Sequence, residues 1–210
     1  MSFDNNSFKY NKVNYTTNCI FYTNEDGSNN VPLAHVSFKN LEEKHVEIVA
    51  QNKGHILEIG YGLGCSSNKF IELGVESLTC IEINDIIYQH ALEWAKDKSN
   101  VTIINGAWEE VVPTLTTKYD GIYYSSSLVQ HALFYDLCKP LCKKGTIVSA
   151  QGYIFDMSPD KANIEDNIAP PHIYDDIFTE NLYNDLIYKG YHKVYWNIFD
   201  GINYVKYLEK

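Results

Sequence analysis

The chain has 210 residues, 45% of them hydrophobic and 21% charged, enough for one substantial core and short for two. Its 27 acids against 17 bases leave a net charge of −10, which argues against a broad duplex-binding surface built from cations meeting phosphates. Five cysteines do not make a disulfide scaffold, no apolar run reaches membrane-spanning length, and the polar start MSFDNNSFKYNK lacks a secretion signal's apolar core, so a cytoplasmic protein is expected.

Residues 1–32 are rich in Asn and Tyr, and NEDGSNN at 24–30 reads as a turn or loop. Residues 1–53 are expected to form an amino-terminal arm and then a helix over about Phe38 to Gln51, with Leu41, His45, Ile48 and Val49 in one stripe. From Gly54 onward short β-type runs alternate with helices. Strands are predicted at His55–Ile59, Ser77–Ile83, Val101–Ile104, Tyr119–Tyr124 and Gly145–Ala150. Between them fall helices at Cys65–Leu73 (closed by Gly74), Asp85–Lys96, within Gly106–Leu115, and at Leu128–Leu137. A helix over Thr179–Lys189 and two strand-like runs, Tyr191–Phe199 and Asn203–Leu208, follow, the runs joined by Asp200 and Gly201 as a compact hairpin. The pattern predicts one α/β domain over 1–210, a Rossmann-like, doubly wound, mostly parallel seven-stranded sheet with an antiparallel carboxy-terminal edge hairpin. Cys138 and Cys142 can face each other on a helix, but no second ligand pair stands near them, so no metal site is expected.

The stretch GHILEIGYGLGCSS, 54–67, carries the chemistry. Gly60, Gly62 and Gly64 stand where the first strand gives way to its helix, where ligands collect at the carboxyl ends of open α/β sheets. Glycine there takes positive φ and lets backbone approach a ligand. The run is GxGxG followed by Cys65, short of the GxGxxG dinucleotide fingerprint. Glu58, two residues before the turn, suits an ammonium group better than a pyrophosphate. Glu82, in CIEIND, can accept both hydrogens of a ribose diol. An adenosyl sulfonium bearing an amino-acid end fits these features better than NAD.

These residues resemble the class I S-adenosylmethionine-dependent methyltransferases. ILEIGYGLG is similar to their first motif, CIEIND to the acidic second, and LCKPLCKKGTIVSA to the turn before strand five. A more particular likeness, NGAWEEVVPTLTTKYDGIYY at 105–124, is to the guanidinoacetate methyltransferases and their arginine N-methylating relatives. The likeness runs from about 40 to 150 and more weakly over 177–191. It implies S-adenosyl-L-methionine as donor and S-adenosyl-L-homocysteine as product. It also implies that Glu58, Gly60, Tyr61, Gly62 and Gly64 surround the methionine part, Glu82 and Ile83 the ribose, and Ala107 and Trp108 the adenine. Trp108 has a packing reading beside this one. Glu109 and Glu110 read as solvated acids at a helix start, and Asn84 as a helix cap or a ligand contact. The family pattern fails at the acceptor: the aspartate that grips a guanidinium after the strand-four tyrosine is Ser125 here, following Tyr124. The family's second acid falls near Phe38, with Glu42 and Glu43 close by. A guanidinium calls for bidentate carboxylates, so guanidinoacetate is a poor acceptor inference.

Tyr124, Ser125 and Ser126 stand at the strand-four end expected beside the transferred methyl. His131 is the nearest histidine in sequence and a candidate base, with a packing reading alongside. His172 falls where family loops enclose substrate, and Tyr10 and Tyr15 belong either to a lid that excludes water or to a packed arm. The expected activity is methylation of a small metabolite, at the nitrogen of an amine or amino-acid-like acceptor. O-methylation, RNA or protein methylation, an NAD-binding reductase and a non-catalytic S-adenosylmethionine-binding partner subunit are the alternatives. Oligomeric state is not readable.

Overall fold

Three short strands come first in chain order: β1 (Val13–Tyr15), β2 (Cys19–Tyr22) and β3 (Val31–His35). They form an antiparallel sheet of their own, in the order β1-β2-β3. The structure, a computed structural model, describes residues 12–22, 31–36, 39–125, 131–151, 193–199 and 202–209. This small sheet falls within the expected amino-terminal arm, and the turn or loop expected at 24–30 lies outside the described residues. Its strands carry Asn and Tyr with little period-2 alternation, and what closes β1 onto β2 is a tight turn. Thr16 N–H donates to the Cys19 carbonyl at 2.9 Å, the Thr16 hydroxyl donates to the same oxygen at 2.7 Å, and Cys19 N–H returns to Thr16 Oγ1 at 2.9 Å.

Helix α1 (Lys39–Val49) then leads into the repeating units: β4 (His55–Ile59), α2 (Cys65–Leu73), β5 (Ser77–Glu82), α3 (Asp85–Ala95), β6 (Val101–Asn105) and the short α4 (Trp108–Val111). Next come β7 (Tyr119–Ser125), α5 (His131–Cys138) and β8 (Cys142–Gln151), and finally β9 (Lys193–Phe199) and β10 (Ile202–Glu209). The large sheet runs β6-β5-β4-β7-β8-β10-β9. Strands β4 to β8 pair in parallel. β10 pairs antiparallel with both β8 and β9. The expected helix at 179–189 and the turn at Asp200 and Gly201 lie outside the described residues.

Local chemistry explains several boundaries. Gly64 (φ 72) and Gly74 (φ 74) are left-handed at the two ends of α2. Asn84 caps α3, its side-chain oxygen accepting from Ile86 N–H at 3.0 Å and Ile87 N–H at 3.2 Å. β8 begins earlier than expected, at Cys142. Lys143 N–H donates to Thr146 Oγ1, whose hydroxyl donates to the Tyr119 carbonyl, so an irregular KKGT segment still joins the ladder.

The two faces carry separate cores. On one, α1, α2 and β-residues Ile56, Leu78, Tyr123 and Ile147 bury Val46, Val49 and Phe70. On the other, Leu57, Ile81, Ile122, Tyr124 and Val148 pack with Trp108, Phe134 and Leu141. Gly121 admits α1 closely: a Cβ there would stand 2.5 Å from the Val49 carbonyl oxygen. Beside it, Asp120 accepts from His55 N–H at 2.9 Å and pairs with Lys143 at 2.8 Å. The DGI phrase therefore serves the amino-terminal edge of the sheet, away from the glycine turn.

Candidate active site

Strand order reverses between β4 and β7, and the glycine turn leaves β4 at that point. Gly60 (φ 90), Gly62 (φ 53) and Gly64 all have positive φ. Gly60 N–H donates to the Ile81 carbonyl at 2.8 Å, and a Cβ at Gly60 would run into the Ser125 carbonyl oxygen. Glycine is thus required on two counts, and the contact brings Ser125, half-buried at the end of β7, directly against the turn. The Tyr61 ring is buried near Ile87, Ala91 and Trp94, and its hydroxyl stands where a Gly64 side chain would begin.

Both predicted acids are buried at this point. Glu82 Oε2 accepts from Tyr61 N–H at 2.9 Å and Oε1 from Asn84 N–H at 2.8 Å. Burial raises its pKa, while the N–H groups of Asn84, Tyr61, Gly62 and Ile83 pull the other way. Half-buried Ile83 follows it directly. Glu58 has no exposed surface, and the hydroxyls of Ser66 and Ser67, in the first turn of α2, donate one to each of its oxygens. Burial pushes its pKa up to about 7, against the Ser66, Ser67 and Cys80 hydrogen bonds. The serines were not singled out from the sequence, although their spacing of eight and nine residues from an acid across a tight turn was the available signal.

The amino-terminal sheet covers the turn. Val13 and Ile20 pack with Tyr61, Ile87 and Ala91, and Ala34 lies beside Gly62. The Tyr15 ring stacks on His90 at 4.0 Å and 15°, its hydroxyl 3.4 Å from the Gly62 carbonyl. Burial raises the Tyr15 pKa, and Cys65 and Glu82 add to the rise. Glu42, on α1, lies close enough to Cys65 to help burial push that thiol up to about 11.

Tyr124 is a core ring, edge-on to Trp108 at 5.6 Å and to Phe134 at 5.0 Å. Trp108 is likewise buried, with Ala107 before it capping α4. His131 is the first residue of α5. Tyr10, Ser126 and His172 lie outside the described residues. Glu109 departs from the solvated reading: its Oε2 is buried with no hydrogen-bond donor among the described residues. The segment carrying it is tied to Glu82, since Gly106 N–H and the Asn105 side-chain amide both donate to the Glu82 carbonyl, at 3.1 and 3.2 Å. A carboxylate oxygen in that state is a group awaiting a donor, and a purine amine is one.

Residues 40–139 match the model of the guanidinoacetate N-methyltransferase family. That segment carries an S-adenosylmethionine-dependent methyltransferase domain. Solved structures agree on the fold. An S-adenosylhomocysteine-bound methyltransferase of Podospora anserina is 16% identical, with TM-score 0.58 over 80% of this chain and 78% of that one. An O-methyltransferase of Bacillus cereus, also with S-adenosylhomocysteine, is 14% identical, with TM-score 0.52 over 81% of each chain. Spermidine synthase of Thermotoga maritima is 18% identical, with TM-score 0.56 over 92% of this chain and 70% of that one. The methyltransferase's donor site fits the glycine turn, the buried Glu82 and the donor-seeking oxygen of Glu109. Among the described residues no helix is long and apolar enough to cross a membrane.

Proposed function

We propose that this methyltransferase acts on the nitrogen of a small amine or amino-acid-like metabolite. The observation carrying the reading is the backbone contact between Ser125 and Gly60: the carbonyl oxygen of the last residue of β7 lies against the glycine turn, and the residue there is a serine where a guanidinium would call for a carboxylate. Bound S-adenosylmethionine supplies an electrophilic methyl group on a sulfonium. Glu82 takes the ribose hydroxyls, Glu109 Oε2 the hydrogen of the adenine amine, and Glu58 offers negative charge beneath the turn. Tyr15 and the small sheet around it exclude water, while Ser125 and Ser126 orient the acceptor lone pair. Positioning of this kind supplies much of the rate of an in-line transfer.

The same serine argues against a guanidinium acceptor. A planar cation at the end of β7 would meet a hydroxyl where a carboxylate is needed to neutralise it. A panel of amines, amino acids, phenols and guanidinoacetate, assayed with labelled methyl donor, tests this. Turnover of an amine with guanidinoacetate inert is the expected result. Guanidinoacetate as the best acceptor would overturn the assignment, and a phenol would move it to oxygen.

A further inference from the structure

Every buried acid needs a reason to stay where it is, and Glu58 has an unusual one. Its carboxylate lies wholly beneath the glycine turn, and both oxygens take hydroxyl donors from the helix that the turn begins. Strand β4 is thereby bonded to the first turn of α2 across Gly60–Gly64. Carboxylates brace the crevice on both strands: on β5, Glu82 accepts from the N–H groups of Tyr61 and Asn84, and on β4, Glu58 holds the start of α2. We propose that Ser66 and Ser67 are positioning residues for cofactor binding: by hydrogen-bonding the Glu58 carboxylate they hold it charged under the turn, and so set the pH range in which the site takes the cationic amino-acid end of the cofactor. This rests on the donor reading above and goes beyond it, since it names residues that touch no ligand.

The chemistry runs in one direction. Hydroxyl donors favour the ionised carboxylate, and burial opposes it. Among the described residues, the groups facing Glu58 add nothing positive. Cys80 and Glu82 on β5 both lie near it, and burial raises the pKa of each. Tyr61 and Cys65, at the two ends of the turn, are likewise raised by burial, and Glu58 adds to both. Across β7 the neighbour in register is Tyr123, against which buried His45 packs at 5.9 Å. His45 is neutral there, its pKa pushed down to about 3 by burial. An incoming ammonium is therefore the cation that completes the site. With the Glu58 pKa at about 7, acid protonates the carboxylate and removes the charge that favours this ligand.

The test is calorimetric titration of S-adenosylhomocysteine into the full chain between pH 5.5 and 8.5, each variant being compared with wild type at the same pH so that the ligand's own ammonium titration near the upper limit cancels. Wild-type affinity is expected to level off at high pH and to weaken below neutrality, approaching about tenfold per pH unit. Glu58→Gln keeps the shape and one hydroxyl acceptor, and its affinity is expected to change less than about threefold over the range. The double variant Ser66→Ala/Ser67→Ala should move the break to higher pH: weaker binding at pH 7, recovering towards wild type by pH 8.5. Either single serine variant, with its fold checked by thermal melting, gives the same direction if the double one does not fold. A Glu58→Gln profile that follows wild type, or serine variants with an unmoved break, would overturn the proposal. Failure to bind S-adenosylhomocysteine at any pH would instead overturn the donor reading on which it rests.

Discussion

Glu109 shows how much one atom can specify. Its Oε2 is buried with no donor among the described residues, beside a segment bonded to the backbone of Glu82. Leaving a buried charged acceptor unmet costs about 1–3 kcal/mol or more, so a ligand that supplies the hydrogen gains by doing so. If that donor is the adenine 6-amino group, replacing the amine with a carbonyl oxygen sets two acceptors against each other. The S-adenosylhomocysteine analogue with hypoxanthine in place of adenine should bind roughly 10–100-fold more weakly. Glu109→Gln, which can donate to a carbonyl, should narrow that gap. Equal wild-type affinity for the two ligands, measured by calorimetry, would show that Glu109 faces something else. The glycines argue in the same currency of contact distance. Gly64 is required because the Tyr61 hydroxyl lies only 2.5 Å from where its Cβ would stand.

At the scale of elements, the glycine turn and the start of β7 offer a matched comparison. Alanine at position 60 meets both an unfavourable φ, worth roughly 1–2 kcal/mol, and the Ser125 carbonyl. Alanine at position 121 meets the Val49 carbonyl oxygen, 2.5 Å away, at the opposite end of the sheet. Both variants should melt lower, by about 2–4 °C for each kcal/mol lost. Only Gly60→Ala should also lose more than about tenfold in S-adenosylhomocysteine affinity, and parallel losses in both would contradict the placement of the site. The elements around this turn were legible because their signals are local. His55–Ile59 and Cys65–Leu73 have the predicted bounds, set by a short run carrying Ile56, Leu57 and Ile59 and by flanking left-handed glycines. The antiparallel β1-β2-β3 sheet was not legible, because its strands are held by a threonine turn and by packing on Tyr61 and Ile87 rather than by alternation. Tyr124 was misleading for a related reason. Its place at a strand end suggested chemistry, but period-2 alternation turns its ring to the face where Trp108 and Phe134 bury it. The acids were readable as residues, whereas the serines that hold Glu58 became visible only once the turn had folded.

For the molecule as a whole, two buried groups oppose each other in acid. His45 is held neutral in the folded chain, with its pKa lowered from 6.5 to about 3, so the stability it leaves intact above pH 6.5 is lost as pH falls towards 3. Glu58 behaves in the opposite sense. Its folded pKa, raised from 4.5 to about 7, favours the fold in acid, and that contribution is lost as pH rises through 7. Between pH 6.5 and 4.5 the two slopes offset each other. Glu58→Gln removes one of them, so between pH 6.5 and 4.5 the variant should lose up to about 1.4 kcal/mol per pH unit more than wild type, the two running parallel below that. Chemical denaturation at a series of pH values reads this directly, and parallel curves for the two proteins across that window would contradict it. The central claim is that the crevice at residues 58–64 and Glu82 holds an adenosyl sulfonium and not a dinucleotide. Titration calorimetry of the full chain with S-adenosylmethionine, S-adenosylhomocysteine and NADH, repeated on Glu82→Ala, tests it most directly. The account predicts that the first two bind, that NADH does not, and that the substitution weakens binding at least about tenfold while the protein stays folded. Binding of NADH alone, or an affinity unchanged in Glu82→Ala, would contradict it.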